Sequence, residues 1–400
     1  MTRSNDNANA VLWSYHPVEY HSPIFEELET LSTERNYNFE VAFGSDYSLK
    51  KNFNPEYNVA FGYDLESAGL KKNFNYKFYR NYVFSENPNK FFSRFNPGFI
   101  ANIFLNKYQL IILQGVRTPT GLLSLLAAKV LKIPIFLRGE FLLVTGFKDR
   151  RLNFFLTKLI YSFFDGFIYS TQGGLKYLQE HSLDNKKLCY APSCIDHTKF
   201  AKLRDNSQLK PDSIYKDIGC KESRLICVMP GRLTERKGHK YFLRSLETLE
   251  SKIKKRIFIL IIGDGPEKSN IEEKLKKMNI QYFMSGFVNH KKMSDLYSIA
   301  DIGILLSDYD PSPKVLNEMM FYGLSIICSK DVGSSKDMIN EGSNGFIVDR
   351  KNQNEILKAF QILTSDEIRS EIKRKNLIKI ENYSPEVCAK NIDELISNFI

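Results

Sequence analysis

Two α/β domains, each built on a parallel sheet, are the architecture this 400-residue sequence predicts. Short apolar runs alternate with amphipathic helical segments along almost the whole chain. That pattern belongs to strand–helix–strand units whose helices cover both faces of a parallel sheet. The length exceeds one ordinary core and suits two domains of about 200 residues each. A polar interval near the middle interrupts the alternation.

The strands of the first half are read at AVLWSY (10–15), FEVAFG (39–44), LIILQG (110–115), PIFLRG (134–139) and GFIYST (166–171). TGLLSLLAAKVLK (120–132) is an amphipathic helix between two of them. Segment 45–100 is rich in Asn, Phe, Tyr and Lys and contains KKNFN twice, at 50–54 and 71–75. Two copies do not make a repeat architecture, so a loop-rich insertion packed by its own aromatics is expected. Asp196 to Glu222 is polar, contains Pro211 and has few apolar positions, and residues 201–222 are read as a linker.

The second half resumes with LICVMPG (225–231), IFILIIG (257–263), QYFMSG (281–286), DIGILLS (301–307), LSIICS (324–329) and GFIVD (345–349). Helical patterns fall at 239–252, 267–279, 290–300 and 314–323. The tail, 384–400, reads as a last helix with Ser384 and Pro385 at its cap and first turn. The resulting boundaries are a first domain over 1–200, a linker over 201–222, a second domain over 223–383 and a terminal helix over 384–400.

Composition narrows the class. Apolar residues make up 43% and charged residues 26%, an ordinary globular balance. Cys189, Cys194, Cys220, Cys227, Cys328 and Cys388 form no C-x-x-C and are expected as free thiols in a reducing compartment. MTRSNDNANA lacks an apolar signal core, and the run 122–137 is cut by Lys129, Lys132 and Pro134. A cytoplasmic protein without a membrane span is therefore expected. The net charge of +10 favours polyanions, whether nucleic acid, anionic lipid headgroups or phosphorylated substrates, and does not choose among them.

The chemistry-bearing residues cluster at expected strand ends of the second half, where ligands of open α/β sheets bind. GRLTERKGH (231–239) offers Arg232 and Lys237 beside Gly231 and Gly238, two cations and two flexible turns suited to a diphosphate. GDGPE (263–267) places Gly263 and Gly265 in a turn opening a helix, and His290 lies near another helix start. DYDPSPKVLNEMMFYG (308–323) carries Asp308, Asp310 and Glu318. Asp308-Tyr309-Asp310 alone is a weak metal motif, and no metal is expected. His16 and His21 lack a third ligand. Asp337 is explained equally well as a helix-start cap.

Taken in order, GRLTERKG, IIGDGPE, FMSGFVNHKKMSDLYSIADIGILLS, DPSPKVLNEMMFYGLSIICS and GSSKDMINEGSNGFIVD resemble the donor domain of GT-B glycosyltransferases of family GT4 across about 225–350. LIILQGVRTPTGLLSLLAAKVLKIPIFLRGE and FDGFIYSTQGGLKYLQEHSLDNKKLCYAPSCIDHTKF resemble the acceptor domain more weakly. The resemblance implies two Rossmann-like domains facing each other across a cleft, with the C-terminal helix crossing back to the first.

It further implies a retaining transferase that moves a sugar from a nucleotide-diphosphate sugar to a saccharide or lipid-linked acceptor in surface polysaccharide or glycolipid synthesis. Arg232 and Lys237, with Gly231, Gly263 and Gly265, match the diphosphate-binding positions. Pro313, Lys314 and Val315 match the loop and helix start under the sugar and phosphate. Glu318 matches the second glutamate of E-x7-E, the ribose contact, and Asp310 replaces the first with a shorter arm. Arg138 and Glu140 stand where the family often has a histidine, and with Asp310 they are the catalytic candidates. His21 and Gln114 are the acceptor-side candidates, and YHPVEYHSPIF replaces the family's Gly-Gly loop.

Two rivals remain. A sugar-nucleotide epimerase would bind the same donor, and a non-catalytic protein would use its basic surface to bind a polyanion; nucleic acid is not expected as a partner. The segment 147–166 carries apolar residues at helical spacing with Lys148, Arg150, Arg151 and Lys158. It reads as a helix packed on the first sheet, with peripheral contact to an anionic membrane as its second reading.

Overall fold

The computed structural model describes residues 9–49, 52–54, 59–61, 70, 74–83, 91–105, 107–141, 151–205, 211–221 and 224–400. The chain divides into two compact units, one of Met1–Cys194 with Pro385–Ile400 and one of Ile195–Ser384.

The first unit holds β1 (Asn9–Ser14), β2 (Asn38–Phe43), a small antiparallel pair of β3 (Asn52–Asn54) and β4 (Val59–Phe61), β5 (Tyr76–Phe78), β6 (Leu110–Gln114), β7 (Ile135–Gly139), β8 (Gly166–Tyr169) and β9 (Lys187–Tyr190). Apart from β3 and β4 these strands form one parallel sheet in the order β5-β2-β1-β6-β7-β8-β9. Its inner strands β1, β6 and β7 begin as nearly continuous apolar runs because both faces are covered there. Alternate residues supply different cores, Ala10 and Leu12 to one face and Val11 and Trp13 to the other.

The helix Pro385–Ser397 packs on the first of these faces through Cys388, Ala389, Ile392 and Ile396. Fully buried Asp393 accepts a hydrogen bond from the Tyr37 hydroxyl at 2.8 Å and pairs with Arg35 at 2.8 Å. Asn391 Nδ2 donates to the Tyr190 carbonyl at 2.8 Å. The C-terminal helix thus returns to the N-terminal sheet.

The second unit contains β10 (Leu225–Pro230), β11 (Ile257–Ile262), β12 (Gln281–Met284), β13 (Ile302–Leu305), β14 (Ser325–Ser329) and β15 (Gly345–Val348), all parallel, in the order β12-β11-β10-β13-β14-β15. The sequence runs outward in opposite directions from the β10–β13 junction. That junction is the switch point at which such sheets hold ligands.

Two expectations need correction. Residues 201–222 are not a free linker, since the helices His197–Asp205 and Pro211–Asp217 lie within them or overlap them. Phe200, Ile214, Ile218 and Cys220 are buried in the second unit's core. Few apolar residues suffice because each short helix buries only one narrow stripe. Segment 45–100 is likewise no separate insertion where it is described. β5 pairs with β2, and Phe74 and Tyr76 pack against Phe25 and Phe43 of the main core. Lys50 and Lys51 of the first KKNFN copy, Lys71, Lys72 and Asn73 of the second, and Lys148 and Arg150 of segment 147–166, lie outside the described residues.

Candidate functional site

Three neighbouring strands of the second unit, β11, β10 and β13, deliver the predicted donor residues to one edge of the sheet. Gly231 follows β10 with φ +119°, and its N–H donates to the Ile262 carbonyl at the end of β11. Gly263 follows β11 with φ +141°, and a Cβ there would lie 2.1 Å from the Gly231 carbonyl oxygen. Only glycine lets these two turns approach so closely. Gly265 also has a positive φ, +155°. The turn is closed by Leu233 N–H donating to the Asp264 carbonyl and Glu267 N–H donating to the Leu233 carbonyl.

The loop after β10 carries half-buried Arg232 and Lys237. Lys237 Nζ lies 2.6 Å from Asp310 Oδ2, with the two side chains only 13% and 12% exposed. The cation assigned to a diphosphate and the acid assigned to a sugar are thus each other's partners. Asp310 is fixed further by its backbone, which bridges Val332 and accepts from Gly333 N–H at 2.8 Å.

Next to them, Gly238 adopts φ +70° where a Cβ would lie 1.9 Å from the Leu306 carbonyl oxygen. This close approach starts the helix His239–Glu247 against the end of β13. His239 is buried there. Burial, reinforced by the Lys237 charge, pushes its pKa down to about 4 and keeps the ring neutral at ordinary pH.

Pro313 caps the helix Lys314–Phe321, so Lys314 and Val315 form its first turn. Those first amides have no intrahelical acceptor, which makes the turn an electropositive surface. Glu318 lies one turn further on and is 7% exposed. Its Oε2 accepts from the Tyr297 hydroxyl at 3.0 Å. Tyr297 is fully buried, and burial together with the Glu318 charge holds its hydroxyl well above the usual phenol range. This phenol is therefore a fixed donor that orients the carboxylate.

Sequence reading missed Arg350, at the turn after β15. Its Nε lies 2.7 Å from Asp308 Oδ1, and its Nη1 pairs with Asp331. Arg236 Nη1 donates to the Tyr309 carbonyl at 2.6 Å. Asp308 and Asp310, separated by Tyr309 alone, are therefore turned to different cations. Only its place at a strand end could have flagged Arg350, and Tyr297 had no signal beyond helical periodicity.

In the first unit, Gln114 ends β6 and Arg138 lies in β7 as its register partner. Glu140 follows on the exposed side of the turn. His21 is the residue before the helix Ser22–Glu34, with its ring edge-on to Tyr20 at 4.7 Å. His16 Nδ1 hydrogen-bonds the Pro17 carbonyl at 2.9 Å. His21 and the strand-end pair thus occupy the carboxyl ends of β1, β6 and β7.

Comparison with known proteins agrees with the second unit's layout. Residues 212–382 match the model of the family described as Glycosyl transferases group 1. The amylovoran biosynthesis glycosyltransferase AmsD of Erwinia amylovora is 28% identical over 195 residues, 48% of this chain and 52% of that protein. A Campylobacter jejuni enzyme named for α-1,4-N-acetyl-D-galactosaminyl transfer to an undecaprenol-linked saccharide is 26% identical over 156 residues, 39% of this chain and 43% of its own. The chain thus spans about half the length, or less, of these curated relatives.

Solved structures match over nearly the whole chain. A glycosyltransferase from Rickettsia africae ESF-5 gives a TM-score of 0.70 at 15% identity, covering 98% of this chain and 99% of that one. Anabaena Alr3699/HepE in complex with UDP-glucose gives 0.66 at 14% identity, with 98% and 99% covered. At that identity the likeness establishes the fold, which is GT-B.

Proposed function

From a second unit whose residues 212–382 match the model of the group 1 glycosyl transferases, we propose that the chain moves a sugar from a nucleotide-diphosphate sugar to a saccharide or lipid-linked acceptor, with retention. The observation that carries this reading is the convergence of Arg232, Lys237, Gly231, Gly263, Gly265 and the Lys314–Val315 turn on adjacent strand ends. Two cations, glycine turns and a helix start in one place suit a diphosphate, whose charge grows as the sugar departs. Glu318, oriented by Tyr297, holds the ribose, and Asp310 faces the sugar.

In the proposed step the acceptor oxygen bonds to the anomeric carbon on the face the diphosphate leaves. The carbon–oxygen bond to the diphosphate breaks, and its electron pair goes to the phosphate oxygen. The acceptor hydroxyl gives its proton to the departing phosphate. Arg232 and Lys237 balance the charge, so the reading needs no metal. A thermal-shift screen of UDP-, GDP- and ADP-sugars tests the donor site. One nucleotide series is expected to raise the melting temperature by mass action. No shift with any of them would overturn the reading, and turnover of the donor without an acceptor, yielding an epimeric sugar, would favour the epimerase.

We further propose that the first unit docks peripherally on a bilayer bearing anionic headgroups. Among the described residues no helix is long and apolar enough to cross a membrane. Phe154 and Tyr161 are half-buried and Phe164 is fully buried, so these aromatics of segment 147–166 do not supply the contact. Other residues point outward instead. The helix Pro119–Leu131 exposes Leu123, Leu126 and Val130, the last at 73%, and the helix Arg151–Ser162 exposes Phe155, Leu156 and Leu159.

Both stripes follow helical spacing, and Arg117, just before the first helix, ties its start to the second by donating from Nη2 to Thr157 Oγ1 at 3.0 Å. Phe104 and Leu105, at the end of the helix Pro97–Phe104, are exposed as well. Charge supports the choice of partner. Residues 91–139 contain no Asp or Glu, and of their basic residues Lys107, Arg117 and Lys132 are exposed, while Arg94 is buried and Lys129 pairs with Asp165. Exposed Lys107, Lys132 and Lys158 lie on or beside the apolar helices. The protein is expected to float with phosphatidylglycerol-containing vesicles and not with phosphatidylcholine vesicles, and Leu126→Glu/Leu159→Glu is expected to abolish flotation. Unchanged flotation of that variant, or a dimer that the variant dissociates, would overturn the proposal.

A further inference from the structure

At the carboxyl edge of the first unit's sheet, three polar atoms on adjacent strands lack any hydrogen-bond partner among the described residues. They are Gln114 Oε1, Arg138 Nη1 and Ser170 Oγ, and all three are shielded from solvent. Gln114 and Arg138 are register partners across β6 and β7, and Ser170 follows β8 one step beyond the Gly139–Tyr169 pair. All continue one face of the sheet. Leu110 and Ile112 precede Gln114 at alternate positions, Phe136 precedes Arg138 and Ile168 precedes Ser170, and those apolar residues share one core. The Cys189 thiol on that face is pushed up to about 12, chiefly by burial, with the Arg138 charge among the groups opposing the shift.

The Arg138 guanidinium is half-buried and has no carboxylate partner among the described residues, whereas buried polar groups are ordinarily hydrogen-bonded. Elsewhere in the chain, comparably enclosed Lys237 and Arg350 have partners. The donor and acceptor pattern defines what is missing. Arg138 can only donate, the unmatched atom of Gln114 accepts, and Ser170 does either. A simple anion satisfies Arg138 and Ser170 but is repelled by Gln114 Oε1. A saccharide carrying a carboxylate or phosphate satisfies all three, because its anionic group takes the Arg138 and Ser170 donors while a neighbouring hydroxyl donates to Gln114.

We propose that Gln114, Arg138 and Ser170 form a subsite for an acidic saccharide, a sugar bearing a carboxylate or phosphate group, on the acceptor side. The proposal rests on the glycosyltransferase reading and specifies its acceptor class. It assigns Arg138 to recognition of the anion, deepening its first reading as a catalytic candidate, and brings in Ser170.

The test uses the full-length chain and compares the binding of glucuronic acid, glucose 6-phosphate, glucose and inorganic phosphate by calorimetry. At least one acidic sugar is expected to bind at least about tenfold more tightly than glucose and inorganic phosphate, the weight of a charge-assisted contact. The preferred acidic sugar distinguishes a carboxylate from a phosphate. Arg138→Gln is expected to erase the preference, Arg138→Lys to restore part of it and Ser170→Ala to weaken it. Nucleotide-diphosphate binding by each variant serves as the folding control and separates this proposal from the donor reading. With that control intact, equal binding of glucose and the acidic sugars would overturn the subsite. So would inorganic phosphate matching glucose 6-phosphate, or an undiminished preference in Arg138→Gln.

Discussion

Lys237→Ala is expected to lower kcat/KM for glycosyl transfer by roughly 10²–10³-fold, the effect typical of removing one preorganised donor to a developing anion. Two consequences separate it from an ordinary surface lysine. The substitution removes a cation from the proposed diphosphate site. It also strips Asp310 of its partner at 2.6 Å, leaving a carboxylate whose side chain is 12% exposed without compensation. Breaking an enclosed pair by deleting one member destabilises more than the pair itself contributes.

The two substitutions Lys237→Ala and Asp310→Asn should therefore couple. The double variant is expected to regain stability relative to the sum of the singles by about 1–3 kcal/mol, because no unpaired charge remains. Activity is expected to stay low in the double variant, since the cation is still missing. Denaturant unfolding and steady-state kinetics on the parent, both singles and the double measure the two effects separately. Additive stabilities would show that the pair does not act as a unit, and near-parental activity in Lys237→Ala would remove Lys237 from the site.

The strand ends that carry this chemistry were legible because their flanking apolar runs are long. IFILII becomes fully buried β11, and LICVMP becomes β10, buried after its first residue. Parallel strands covered on both faces leave such runs, and glycine or proline marks where each run stops. β9, with the sequence KLCY, and β5, with YKF, were missed because four or three residues with a lysine among them show no clear period. The end of the helix His197–Asp205 and the helix Pro211–Asp217 fall in the expected linker 201–222 for the same reason. Their burial rests on isolated positions such as Phe200 and Ile214.

Contacts between loops were not legible at all. Lys237 and Asp310 are 73 residues apart, and Glu318 and Tyr297 are 21 apart on different helices. Neither spacing is a period of any secondary structure. Residue types at strand ends identify a ligand edge, whereas partner choice within that edge depends on which strands the sheet places side by side.

Arg350 shows the consequence most clearly, and Arg350→Ala is the second substitution with a large expected effect. Its side chain is 15% exposed, and it joins Asp308 after β13 to Asp331 after β14 from its own position after β15. Asp331 adjoins Val332, whose backbone bridges Asp310, and Asp310 in turn holds Lys237. One guanidinium therefore secures the loops that present the proposed donor residues. Without it, two partly buried carboxylates repel each other across the gap. A loss of about 2–4 kcal/mol is expected, or a fall of roughly 5–15 °C in melting temperature for a unit of this size. Arg350→Lys should recover only part of that, since an ammonium cannot present the planar fork that reaches both acids. In kinetics, the KM for the nucleotide sugar should rise while the KM for the acceptor stays close to parental. Melting within about a degree of the parent, with an unchanged donor KM, would show that the three loops hold their positions without Arg350.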